Sequence, residues 1–596
     1  MASESILSSN GLKPKLHGRA FYESIGSPKH VLAPMVDQSE FAWRMLTKSF
    51  LPPELRSSIL CYTPMFHARL FVQDPKYRTS VFQPLKAPIP SPIDPYHVSQ
   101  LQEDDFHLDG NPKFDRPLMV QFCANDPEIL LDAAKLVQPF CDAVDLNLGC
   151  PQGIARRGHY GAFLQEDQQL IFKLINTLHR ELDIPVTAKC RILDTREKTL
   201  AYVQMLYDAG ASIVTVHGRL REMKGHNTGL ADWSTIRWLR SQLPADKVLF
   251  ANGNVLEHGD LQRCLEATGA DAVMTAEGNL HNPGIFTNSE VDNATIYKGH
   301  ANFGREVYSS VRVGNCGYRI DAVMRRYLDI IHTYVLQQDP PARGPLFIPG
   351  DPGWKDEHGN IIYPDFSNLF DDVEGPPRKR AKRSRLEKKE KETDPNLCAM
   401  QAHLFNVLRP LLSTHTIIRD TLAQCRAGDI DAFEKVLAMV ERATKEAVKD
   451  GYWNPENYED IWNEQAEVVW ELQDPRDGTV YPNDEYGHLV AKLLEAGIKE
   501  RPVWVKKEVV DDADSSETAR KRCKRPWWVC QPYIRPLPKE ALAKGSMTPG
   551  KKEIEKIRNG SEAKSSIVGQ VEPMHVQEPE SKSDIEEIPR QDMVCG

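Results

Sequence analysis

At 596 residues, with 41 % apolar and 27 % charged side chains, the chain has room for several domains and is neither collagen-like nor wholly disordered. Its 74 basic and 84 acidic residues leave a net charge of −10, so any nucleic-acid contact must come from locally gathered positive charge. Twelve cysteines without a CxxC pair exclude a disulfide scaffold. An N-terminus without an apolar h-region and a chain without a long apolar run lead us to expect an intracellular protein with reduced thiols and no membrane span.

Eight short, two-sidedly apolar runs follow one another from His30 to about Leu280, as strands buried in a parallel sheet do. They are HVLAPMV, SILCYTPMF, PLMVQFC, AVDLNLGCP, IPVTAKCRI, SIVTVHGR, VLFANGNV and ADAVMTAEGN. Amphipathic helical patterns lie between them. Asp126 to Phe140 opens with an Asp N-cap and Pro127 at the first helical position. Ala162 to Leu182, Tyr202 to Ala209, Trp233 to Leu243 and Leu261 to Ala267 supply the others. Eight such units predict a (β/α)8 TIM barrel. The lack of GxGxxG after the first strand counts against a doubly wound sheet.

Helical spacing alone continues afterwards, over Arg319 to Gln337, Cys398 to Arg409, Thr414 to Arg426 and Ile430 to Val448. Between the first two lies the run RKRAKRSRLEKKEKE (Arg378 to Glu392), net +6, with the composition of a nuclear import signal, an auxiliary RNA arm or a solubilising loop. The expected organisation is an N-terminal extension over 1–27, a barrel over 28–314 and a helical domain over 315–451 with a charged insertion at about 340–395. A C-terminal extension over 452–596 follows, largely disordered after about 510.

In such a barrel the chemistry sits at the C-terminal ends of the strands. Those ends carry Pro34 and Met35, Gln121, Asn147 and Cys150, Lys189, His217, Asn252-Gly253-Asn254, and Ala276-Glu277. The loops after strands seven and eight suit a phosphate, with Gly253 and Gly278 allowing close backbone approach. Lys189, His217 and Gln121 offer donors for a heterocycle edge. The set matches a flavin mononucleotide (FMN) site, and no acidic cluster suggests a metal. The segment from Gly153 to Gly161, with Arg156, Arg157, His159 and Tyr160 between glycines, reads as a mobile lid.

The segments LAPMVDQSEFAWR, VQFCANDP, DLNLGCPQGIARRGHYGAFL and VHGRLREMKG, with FANGNV and MTAEGNL, resemble the tRNA-dihydrouridine synthase family over about His30 to Asn288. HLFNVLRPLLSTHTIIRDTLA is similar to the RNA-binding domain of its eukaryotic members, and AEGN and LAPMVDQSE resemble the subgroup acting on D-loop uridines 16 and 17. The resemblance implies an oxidoreductase that reduces the uracil C5–C6 bond with FMN and NADPH or NADH. It implies that Pro34, Met35 and Val36 line the flavin, that Gln121 and Lys189 bond its ring near His217, and that Asn252, Gly253, Asn254, Ala276 and Glu277 hold the phosphate end. Asn147 would bind the uracil, Arg157 the tRNA, and Cys150 would be the general acid, a thiol being mostly protonated near neutral pH. Two departures stand out: Glu277 occupies a position where many relatives have Arg, and Leu220 one where Thr is common. Arg325, Arg326, Arg409 and Arg419 are candidates for tRNA backbone contacts. The chain is expected to be a monomer in cytoplasm or nucleus. A small-molecule pyrimidine reductase and a non-catalytic tRNA-binding protein remain as alternatives at this stage.

Overall fold

A computed structural model describes residues 15–93, 98–287, 318–344, 346–347, 354–355, 361–362, 393–449, 470–473, 480–481, 503–506 and 515–543. The basic run Arg378 to Glu392 lies outside them, as do most of the insertion and residues 1–14. The eight predicted strands are β1 (His30–Leu32), β2 (Ile59–Tyr62), β3 (Leu118–Cys123), β4 (Ala143–Leu148), β5 (Val186–Arg191), β6 (Ala211–His217), β7 (Val248–Asn252) and β8 (Ala272–Thr275). Each pairs in parallel with the next, and β1 pairs with β8, so the sheet closes into a barrel. A two-residue strand, Phe66–His67, adds to the end of β3.

The helices start where side chains supply the missing acceptors. Asp126 takes the amides of Glu128 and Ile129, with Pro127 beginning helix Pro127–Val137. Thr195 caps helix Arg196–Asp208, and Glu257 and Asp260 form a capping box for His258–Thr268, so both begin earlier than the apolar spacing alone indicates. The single helix expected over Ala162 to Leu182 is two elements. Gly161–Leu164 is a 3-10 turn, and Asp167 caps a new helix, Gln168–Glu181.

Helix Ile320–Ile330 runs on into a π-helical turn, Ile331–Val335, and joins Pro395–Val407, Thr416–Gln424 and Ile430–Lys449 in a helical layer sharing one hydrophobic core with the barrel. The joint is polar as well as apolar. His403 hydrogen-bonds Glu40 at 3.0 Å while stacked 3.9 Å from the Trp43 ring, and Asn396 accepts from the Ala42 amide.

Residues 515–543 depart from the expected disorder after about 510. Helix Ser516–Cys523 leads into a segment in which Trp528, Val529 and Cys530 are buried. Val529 bridges Arg319, the Ile320 amide donates to the Trp528 carbonyl, and the Cys530 amide to the Tyr318 carbonyl. Apolar Trp527-Trp528-Val529 amid charged residues is the local reason: it finds a buried seat at the start of helix Ile320–Ile330. Among the described residues, no helix is long and apolar enough to cross a membrane.

Candidate functional site

Parallel register brings the strand ends side by side: Gln121 lies beside Asp145, Asn147 beside Lys189, Arg191 beside His217, and His217 beside Asn252. Residues two apart on a strand share a face, so Asp145 and Asn147 on β4, and Thr187, Lys189 and Arg191 on β5, point the same way. The result is two hydrogen-bonded polar groups side by side, one around Asp145 and one around Asn252. Gln121 Nε2 donates to Asp145 Oδ2 at 2.8 Å, Asn147 Nδ2 donates to Gln121 Oε1 at 2.8 Å, and Thr187 Oγ1 donates to Asp145 Oδ1 at 2.6 Å. Lys189 Nζ donates to Asn252 Oδ1 at 3.0 Å, and Asn252 Nδ2 to the Met274 carbonyl at 2.9 Å. The amide nitrogens of Gln121 and Asn147 each carry a second hydrogen.

Cys150 sits in a loop held from every side. Its amide and that of Gly149 both donate to Asn147 Oδ1, at 3.0 and 3.2 Å. Three successive carbonyls are taken as well: Gly149 by Arg191 Nε at 2.8 Å, Cys150 by the Ala162 amide at 3.1 Å, and Pro151 by Lys224 Nζ at 2.7 Å. Gly161, at φ +63°, lets the returning chain come this close, since a Cβ there would lie 2.9 Å from the Cys150 carbonyl oxygen. The Cys150 side chain packs with Cys123, Ala155 and Tyr160. The predicted lid is a short helix, Gly153–Gly158, ended by left-handed His159 and exposing Arg156, Arg157 and His159.

Around the ends of β6 and β7 the charge is positive. Arg219 donates to His217 Nε2 at 3.1 Å, to Asn254 Oδ1 at 2.8 Å and to the Gly229 carbonyl. A guanidinium only donates, so Nε2 accepts and the imidazole proton is on Nδ1. Burial holds His217 well below its ordinary pKa, and Arg191, Arg219 and Lys189 add to this, so the ring is neutral. Burial likewise pushes Arg219 down to about 10, against the pull of Glu277 and helped by Arg191 and Arg535. Gly253, at φ +113°, has the His217 ring 3.0 Å and the Ala231 Cβ 2.6 Å from where its own Cβ would be. Only glycine fits between them.

These features fit FMN: donors for a ring edge on β3, β4 and β5, and cations beside a glycine cradle, the chemistry that suits a phosphate dianion. Pro34 and Met35 are buried at the end of β1 and Val36 is half-buried, with Ser39 bracketing Met35 through both its amide and its carbonyl. Ala276 is buried, and half-buried Glu277 forms an ion pair with Arg535. Among the described residues, no group of three or more His, Cys, Asp or Glu could hold a metal.

Sequence reasoning gave no role to Asp145, Arg191 or Lys224, which orient Gln121 and hold the Cys150 loop. Two RNA-contact candidates are corrected. Arg325 is buried and pairs with Glu441 at 2.8 Å, and buried Arg326 donates to the Ser49 carbonyl with its guanidinium 4.4 Å from the Phe50 ring centre. Both hold the helical layer to itself and to the barrel. Arg409 lies 3.6 Å over the Tyr533 ring, and Arg419 is exposed beside Asp420.

A protein-family model described as dihydrouridine synthase matches residues 31–312. The tRNA-dihydrouridine(16/17) synthase [NAD(P)(+)] of Schizosaccharomyces pombe is 37 % identical over 88 % of this chain and 92 % of its own length. The Saccharomyces cerevisiae protein of the same name is 38 % identical over 90 % of each chain. A human tRNA-dihydrouridine(20a/20b) synthase-like protein is 31 % identical over 44 % of this chain and 71 % of its own.

Proposed function

The chain belongs to the dihydrouridine synthase family, and from that premise we propose that it reduces the C5–C6 double bond of uridines 16 and 17 in the tRNA D-loop, with FMN as cofactor and NAD(P)H as reductant. The observation that carries the reading is the immobilised Cys150 loop, joined through Asn147 to the Gln121 and Lys189 edge of the mouth. The chemistry that bound FMN supplies there is hydride for C6 of the uracil, drawn from NAD(P)H.

The chain's residues do the rest. Gln121 and Lys189 would hold the flavin ring through hydrogen bonds, and Met35 would offer it an apolar surface. The target base leaves its stack to reach the mouth. The second hydrogen of Asn147 Nδ2 meets a uracil carbonyl, while its Oδ1 keeps the Cys150 amide in place. Cys150 then gives its thiol proton to C5, and solvent reprotonates the thiolate. Arg157, exposed on the helix after Cys150, meets the tRNA backbone.

The small-molecule alternative leaves the helical layer without a task, whereas the 16/17 relatives match along nearly their whole lengths. Dihydrouridine mapping in tRNA from cells lacking the gene tests the assignment. Loss at positions 16 and 17, restored by the intact gene, is expected. Loss only elsewhere overturns the position, and no loss at any position overturns the activity.

A further inference from the structure

The C-terminal segment reaches the phosphate end of the site. Arg535 Nε and Nη2 both donate to Glu277 Oε1, at 3.0 and 2.8 Å, and Glu277 opens the short helix Glu277–His281, separated from the end of β8 by Ala276 alone. Further back, Arg525 lies 3.9 Å from Glu257, in the loop after β7. The segment therefore crosses both loops that the barrel offers to a phosphate. Tyr533 fixes its course: the Arg409 guanidinium of the helical layer lies 3.6 Å over its ring, and His281 packs 6.1 Å away.

A carboxylate beside a phosphate dianion is repulsive, and Glu277 sits where that repulsion would arise. Its partner comes from more than 250 positions away in sequence. Arg535 also bears on the barrel's own cation: with burial and Arg191 it helps to hold Arg219 below its ordinary pKa, and a nearby anion relieves that strain on the charge.

We propose that Arg535 completes the cofactor's phosphate subsite from the C-terminal segment, neutralising Glu277 and presenting a guanidinium to the phosphate monoester. This rests on the FMN reading above. It makes the tail part of the cofactor site and ties cofactor retention to the seat of residues 527–530.

Riboflavin, which lacks the phosphate, separates this from a merely structural role. Full-length apoprotein is titrated with FMN and with riboflavin, following flavin fluorescence. The wild-type chain should prefer FMN; if it binds neither, the FMN reading itself fails. In Arg535→Ala the FMN-to-riboflavin affinity ratio should fall about tenfold, the scale of a lost charge-assisted contact. Arg535→Lys keeps the charge and should retain most of the ratio, whereas Arg535→Gln, which keeps the reach of the side chain without the charge, should lower it as Ala does and serves as the test, with the same overturning result, if the Ala variant does not fold. An unchanged ratio in Arg535→Ala, whether both affinities fall or neither does, overturns the proposal.

Discussion

Behind Gln121, burial pushes the Asp145 carboxyl up to about 6, opposed by its bonds from Thr187 and Gln121 and by the Lys189 charge. A carboxyl whose folded pKa is raised disfavours folding as it ionises. Its cost is absent below the unfolded value near 4, grows through the window to about 6 and is complete above it, amounting to about 3 kcal/mol. Asp145→Asn removes that dependence. In the flavin-free chain, the unfolding free energy of the Asn variant relative to wild type should rise by about 2 kcal/mol between pH 4 and pH 7, on top of a constant offset from the disturbed Gln121 bond. A pH-independent difference would mean that Asp145 titrates in the folded chain as it does in the unfolded one, and that its burial is offset by its bonds. Asn147 offers a second test, because it positions Cys150 through two backbone amides. Asn147→Ala should slow reoxidation of the reduced enzyme by tRNA on the order of 10²-fold, while NADPH reduces the flavin at the wild-type rate. Stopped-flow absorbance separates the two.

The strands were legible because parallel barrel strands are apolar on both faces, and the polar residues that interrupt them are the site. Asp145 and Asn147, Thr187, Lys189 and Arg191, and Thr215 and His217 recur at spacing two in otherwise apolar runs. That alternation marks Asp145, which lies too far inside its strand to stand out at the mouth, and gives Arg191, the last residue of its strand, a place on the same face as Lys189. Helix starts followed the capping residues more closely than the apolar spacing, which is why Ala162 to Leu182 divided at Asp167. The glycine at the end of β7 carries an element-level prediction. Gly253→Ala forces a Cβ onto Ala231 and the His217 ring at a φ that L residues rarely adopt, so the chain should lose about 2 kcal/mol and release flavin on gel filtration. Full flavin retention would show that β7 and β6 can part without cost to the site.

Across the whole molecule, what the sequence concealed was partnership over long distances. Arg325 and Arg326 carry the charge of an RNA face, yet their pairing with Glu441 and seating on Ser49 and Phe50 depend on segments far away in the chain. The same holds for the tail, whose polar composition hides one apolar triplet with a buried seat. Arg325→Ala should therefore cost about 3 kcal/mol of stability by stranding the Glu441 carboxylate, and leave the salt dependence of tRNA binding unchanged. Exposed Arg157 should behave oppositely: Arg157→Ala should lower the slope of log affinity against log salt by roughly one without moving the melting temperature. The account as a whole turns on one thiol between a bound flavin and a tRNA uracil. The most direct measurement follows flavin absorbance in Cys150→Ala, first on adding NADPH and then on adding tRNA lacking dihydrouridine. The variant should bleach at the wild-type rate and be reoxidised by tRNA slower on the order of 10² to 10⁴-fold, while oxygen still reoxidises it. Wild-type reoxidation by tRNA in Cys150→Ala, with dihydrouridine formed at 16 and 17, would contradict the account.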